Sequence, residues 1–237
     1  MLKVIKKLKL EKLSQKELGY LLGLFDGDGN LDNWCRHYDV GFHLNSLKDQ
    51  DIACQLLMIL EKTGLKSHII KDKRFNCFKI KVSCKLFFQN ILKFSTNNPK
   101  DKNFGLGYIS GIIDSEGYVN QIKRYIQITN TNRKLVKKVR TYLMALDIES
   151  KITKKCRCMK DKLQRYSLYI PIKFLKTKNN SMKIKRIVAG KGFEPLTFTP
   201  VSCQGVSEQS YEPFAKHLRA LQAALGRNKP STPLLEC

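Results

Sequence analysis

Apolar and polar positions alternate with two different periods along the first 180 residues. Val40, Phe42 and Leu44 point one way, while Gly41, His43 and Asn45 point the other. Phe78, Ile80 and Val82 alternate in the same manner with Lys79, Lys81 and Ser83. Further along, Ile126 and Ile128 alternate with Tyr125, Gln127 and Thr129, and Tyr166, Leu168 and Ile170 with Arg165, Ser167 and Tyr169. A period of two predicts strands with one buried and one polar face. Such one-sided strands belong to antiparallel sheets. Between them lie amphipathic helical stretches. The opening helix is predicted to start at Ser14, because "SQKE" is a capping box in which Ser14 and Glu17 satisfy each other's backbone N–H groups. It is expected to run to about Asp26.

The pattern occurs twice. Residues 18–29 read "LGYLLGLFDGDG" and residues 106–117 read "LGYISGIIDSEG". At a constant offset of 88, six of twelve positions are identical, and Asp28 faces Glu116. Each copy leads into strand, helix, strand, so the reading is helix, two strands, helix, two strands, helix, made twice. We divide the chain into a first half (1–95), a linker (96–103, in the polar "FSTNNPKDKN" region), a second half (104–180) and a C-terminal tail (181–237). Residues 191–237 hold five of the seven prolines and almost none of the excess charge, and the tail is expected to be irregular or partly disordered.

Charge narrows the function. The net charge is +24. Self-repulsion on this scale opposes compaction, and it is the footprint of a polyanion binder, most often nucleic acid. Acids are expected to be nearly absent from the polar strand faces. No run of 18 apolar residues exists, so no membrane span is expected. The eight cysteines lack zinc-site spacing and are expected to be reduced, mostly buried thiols of an intracellular protein.

The repeat also carries candidate chemistry. Gly19 and Gly23, like Gly107 and Gly111, lie on one face of their helix, so the two helices can pack backbone to backbone. Asp28 and Glu116 then meet at a pseudo-two-fold axis. Two adjacent carboxylates repel unless cations lie between them, and oxygen-only ligation suits Mg²⁺.

The stretches "LLGLFDGDG" and "ISGIIDSEG" resemble the two copies of the LAGLIDADG motif, and the resemblance covers residues ~14–178. The chain is most similar in pattern to single-chain, two-motif LAGLIDADG homing endonucleases of organellar group I introns. The resemblance implies an α+β fold of tandem αββαββα repeats, with motif helices at the interface and two antiparallel sheets forming a DNA-binding saddle. It implies Mg²⁺-dependent cleavage of both strands of a long DNA site, leaving 3′ overhangs, by a monomer in a mitochondrion or chloroplast. Mn²⁺ is expected to substitute. The metal ligands would be Asp28 and Glu116. Asp26 and Asp114 would close the motif helices, and Gly23 and Gly111 would allow their contact. Lys48 and Asn130 stand where the family places auxiliary catalytic residues. Readout of double-stranded DNA would fall on Arg36, His43, Asn45, Lys79, Lys81, Gln127, Thr129, Lys151, Lys155, Arg157, Arg165 and Tyr169. Two other functions fit the same fold: a maturase that binds intron RNA, and a regulator that only binds DNA.

Overall fold

The protein is described from a computed structural model, which covers residues 10–35, 37–72, 76–96, 101–120, 122–154, 164–171 and 181–188. A single 3₁₀ turn (Leu10–Lys12) precedes α1 (Gln15–Asp28). Then follow β1 (Gly29–Trp34), β2 (His37–Asn45), α2 (Gln50–Lys62), β3 (His68–Asp72), β4 (Cys77–Ser83) and α3 (Lys85–Thr96). The second half repeats the order with α4 (Lys102–Glu116), β5 (Gly117–Asn120), β6 (Tyr125–Asn130), α5 (Arg133–Ala145), β7 (Lys151–Lys154), β8 (Tyr166–Pro171) and α6 (Met182–Val188). Each half holds one antiparallel four-stranded sheet, in the orders β1-β2-β4-β3 and β5-β6-β8-β7. This is the tandem αββαββα architecture expected from the alternation.

The period-two residues build the core. Val40, Phe42, Phe78, Ile80, Val82, Ile126, Ile128, Leu168 and Ile170 are all buried beneath the helices. Registers keep this face continuous: Phe42 stands opposite both Gly29 and Ile80, and Ile128 opposite both Gly117 and Leu168. The capping box forms, with Ser14 N–H donating to Glu17 Oε2 at 2.9 Å and Glu17 N–H donating to Ser14 Oγ at 3.2 Å.

The motif helices α1 and α4 form the most extensive contact between elements of the fold. Backbone carbonyls of one helix occupy the space where Cβ atoms would stand on the other. Phe104 O faces Gly19, Tyr108 O faces Gly23, Lys16 O faces Gly107 and Tyr20 O faces Gly111. Alanine at any of the four would require the two backbones to separate.

Three expectations need correction. Helix α1 continues past Asp26 to Asp28, and α4 past Asp114 to Glu116, so Asp26 and Asp114 are not helix-end residues. At Gly29, where φ is −91°, the chain passes straight from helix into strand. The linker is shorter than 96–103, because α3 reaches Thr96 and Asp101 already caps α4 through Phe104 N–H at 2.8 Å. Finally, the segment from 181 is not irregular throughout. Helix α6 lies there against α4, with Ser181 and Ile184 buried. The remainder of the tail, from 189, lies outside the described residues. Among the described cysteines only Cys54 is buried; Cys77 and Cys84 are half-buried and Cys35 is exposed. No described helix is long and apolar enough to cross a membrane.

Candidate active centre and nucleic-acid face

Helix pairing brings the ends of α1 and α4 together. A Cβ on Gly27 would stand within 3.3 Å of Glu116 Cγ and closer still to the Ser115 side chain. Asp28 and Glu116, the last residues of the two helices, therefore flank one central position. Burial, and then the negative charge of Glu116, push the Asp28 carboxyl up to about 6. Lys183 opposes both, and Asp49 adds to the rise. Burial also raises Glu116, countered by hydrogen bonding from Asn130 and by the charge of Lys183. The pair is thus a site of excess negative charge on hard oxygen donors. That chemistry fits a divalent cation such as Mg²⁺, with water and phosphate oxygens completing its shell. Two carboxylates do not make a closed protein cage, and among the described residues no group of three or more His, Cys, Asp or Glu could hold a metal.

Of the two auxiliary candidates, one reaches the centre. Asn130 Nδ2 donates to Glu116 Oε1 at 2.9 Å, and its Oδ1 accepts from Asn132 N–H at 2.7 Å. Lys48 does not. Its side chain is exposed in the turn after β2, and only its backbone N–H is engaged, donating to Asn45 Oδ1 at 3.0 Å. The open cleft beside Asp28, about 370 Å³, is lined instead by His43, Asn45, Asp49 and Asn76. Asn45 Oδ1 fixes this turn by accepting from the backbone N–H groups of both Leu47 and Lys48.

The first aspartate of each motif has a different role from the second. Asp26 accepts from Tyr108 Oη at 2.5 Å and from Lys138 Nζ at 3.0 Å, both in the other half. Asp114 is 1% exposed and accepts from Tyr20 Oη at 2.9 Å, Ser181 Oγ at 2.5 Å and the N–H groups of Met182 and Lys183, each at 3.0 Å. Burial raises the Asp114 carboxyl, and these donors counter it. Both residues join the halves across the interface. Tyr20, Tyr108, Lys138, Ser181 and Lys183 were absent from the sequence expectation. The signal for the tyrosines was available: they are identical residues at equivalent repeat positions.

The open faces of the two sheets differ. On the first, the expected scarcity of acids fails. Lys79 pairs with Asp32 at 3.0 Å, and Lys81 pairs with Asp39 at 2.7 Å. His43 Nε2 lies 3.1 Å from Asn30 Oδ1, and Asn30 donates to Asp32 at 2.8 Å, so the candidates His43 and Lys79 are joined through Asn30 and Asp32 in one network. On the second sheet the described open-face positions carry no acid. Gln127 donates to Thr129 Oγ1 at 2.9 Å and to Ser167 Oγ at 3.2 Å. Tyr169 packs edge-on to Tyr125 at 5.4 Å and stands opposite Lys151 and Gln127. Arg165 is exposed just before β8. Exposed Tyr118, opposite Gln127, and exposed Trp34 belong to the open faces too, and were not foreseen. Arg36, Lys155 and Arg157 lie outside the described residues.

Known proteins share this arrangement. Residues 103–189 match the LAGLIDADG-like domain family. An uncharacterized protein of Methanocaldococcus jannaschii is 26% identical over 162 residues, covering 62% of this chain; the chain spans 60% of that protein's length. Among solved structures, the homing endonuclease I-DmoI in complex with DNA and Ca shares the fold at a TM-score of 0.58 and 20% identity, over 74% of this chain and 98% of that one. Mesophilic variants of I-DmoI give 0.57 and 21%, over 70% and 96%. The N-terminal LAGLIDADG domain of DUF199/WhiA gives 0.52 and 20%, over 76% and 90%. One half matches the domain family directly, the other repeats its motif helix and sheet, and the whole takes the fold of LAGLIDADG structures. Residues 103–189 thus carry a LAGLIDADG-like domain, and the described chain has the fold of two-motif LAGLIDADG structures.

Proposed function

We propose that this protein is a site-specific DNA endonuclease that hydrolyses both strands of a long, asymmetric duplex with divalent metal ions, leaving 3′ overhangs. The observation that carries the reading is the Asp28–Glu116 pair. Two carboxylates, both raised by burial, end two helices that pack without intervening side chains, between two open sheet faces. A purely structural interface would gain from neutral residues there. Mg²⁺, or Mn²⁺ in its place, would supply an activated water and stabilise the leaving oxygen. Asp28 and Glu116 would hold it, and Asn130 orients Glu116 by its hydrogen bond. The net charge of +24 draws the duplex in, and the open faces of both sheets contact its grooves. The tandem repeat lets one chain supply both halves of the centre, so we propose a monomer. We place it with organellar intron homing.

Two carboxamide substitutions test the reading. With the intronless form of the gene that hosts its reading frame and Mg²⁺, the parent is expected to make double-strand breaks. D28N and E116Q are expected to bind the same DNA without cutting it. Absence of cleavage by the parent, together with tight binding to the intron transcript, would replace this reading with an RNA-binding maturase. DNA binding without cleavage would leave a regulator.

A further inference from the structure

Helix α6 closes the second αββαββα repeat, and it touches the centre of the molecule. Its start is fixed by Asp114, which accepts from Ser181 Oγ and from the N–H groups of Met182 and Lys183. That anchoring aims the Lys183 side chain along the end of α4. Its ammonium donates to Ser115 O and to Gly117 O, each at 3.2 Å. These are the carbonyls on either side of Glu116. Carbonyls at a helix C-terminus lack intrahelical donors and carry the negative end of the dipole, so a cation there both satisfies and neutralises them. Among the described residues, the first half has no counterpart to this contact. Among the described residues, no side chain donates to Gly27 O or Gly29 O beside Asp28, and the cation that reaches the first motif, Lys138, binds Asp26 instead.

We infer that α6 is part of the active centre and that Lys183 is a positioning residue, which holds Glu116 by binding the carbonyls on both sides of it and so makes the two halves of the site unequal. This rests on the endonuclease reading for its effect on cutting, but not for the contact itself. The ammonium lies where its charge acts on Glu116 and on Asp28 alike. Helix α6 falls within residues 103–189, the stretch that matches the LAGLIDADG-like domain.

The test uses full-length K183M and K183R, with three measurements. Hydrogen exchange without DNA reads the amides of residues 115–118. Binding to a target duplex in Ca²⁺ reads affinity. Cutting of a supercoiled plasmid in Mg²⁺ reads each strand break. K183M is expected to exchange faster at 115–118 and to bind DNA like the parent. It should make double-strand breaks about tenfold more slowly or worse, as loss of an outer partner of a metal ligand does, with nicked circles accumulating. K183R, which can donate to both carbonyls, is expected to recover most of the rate, which a general loss of stability would not allow. Should K183M fail to fold, K183Q keeps a donor and serves in its place. Parent-like exchange at 115–118 overturns the contact. Parent-like cutting by K183M, or no recovery in K183R, overturns the positioning role. A parent that cuts nothing overturns the endonuclease reading alone, because exchange is read without cleavage.

Discussion

Tyr20 of the first motif helix donates its hydroxyl to Asp114 of the second at 2.9 Å, and the equivalent pair, Tyr108 and Asp26, makes the same contact in the opposite direction at 2.5 Å. The repeat is thus visible in chemistry as well as shape. Each first aspartate is the acceptor for its neighbour's tyrosine. The two are backed differently: Lys138 supports Asp26, whereas α6 supports Asp114.

That difference predicts unequal costs. Tyr108→Phe leaves Asp26 with one donor, and Tyr20→Phe leaves Asp114 with three. A hydrogen bond to a charged group contributes about 1.5–3 kcal/mol. Y108F is expected at the upper end of that range and Y20F at the lower end, measured by urea unfolding near neutral pH. Equal losses would show that the backing of the aspartates does not matter.

The glycine contact predicts a sharper contrast. Alanine at Gly23 or Gly111 places a methyl group against a carbonyl of the opposite helix, where rigid backbone cannot yield. The expected loss exceeds about 3 kcal/mol, the upper range for overpacking. Gly64 is the control. Its φ is +74° and nothing lies near it, so Gly64→Ala carries backbone strain alone, about 1–2 kcal/mol. Thermal unfolding of the three variants checks both values.

How much of this was legible follows from range along the chain. Alternation is a local property, so Val40, Phe42, Ile126 and Ile128 were placed correctly on the core face from the sequence. The motif acids were legible because the repeat displays them twice. Asp32 escaped notice because it belongs to the short β1, and its pairing with Lys79 depends on a strand 47 residues away. The closing helix of the second half was expected but ended too early, at 180: α6 is brief and follows a polar run, and Asp114, which fixes its start, lies 67 residues from Ser181. The exposed position of Lys48 was not legible, because a turn's shape depends on side-chain-to-backbone bonds such as those of Asn45, which composition does not encode.

The raised Asp28 carboxyl predicts a pH dependence. Burial and Glu116 move it from an ordinary 3.8 to about 6 in the folded protein. The folded state therefore holds this proton more tightly than the unfolded chain. Its stabilising contribution is complete below 3.8 and is lost as pH rises through about 6. Asp28→Asn removes the titration. In EDTA, the stability of D28N relative to the parent is expected to grow between pH 4.5 and 7, and Mg²⁺ should narrow the gap by neutralising the parent's site. Urea unfolding across this range checks it, and a constant gap would place the folded carboxyl near its ordinary value.

The unlike sheet faces predict unlike salt dependence. Each phosphate contact made by a cation contributes about 0.9 to the slope of log affinity against log salt. Lys151 is exposed on a face whose described open positions carry no acid, so Lys151→Met should lose nearly one full contact. Lys79 is already paired with Asp32, so binding phosphate requires it to give up that partner. Lys79→Met is therefore expected to lower the slope by clearly less than 0.9. Asp32→Asn should raise both affinity and slope, because it frees Lys79 and removes a charge that repels the duplex. Titrations of a target duplex at several salt concentrations measure all three. If Lys79→Met and Lys151→Met changed the slope equally, the ion pair on the first sheet would have no influence on DNA binding, and the two faces would act alike despite their different chemistry.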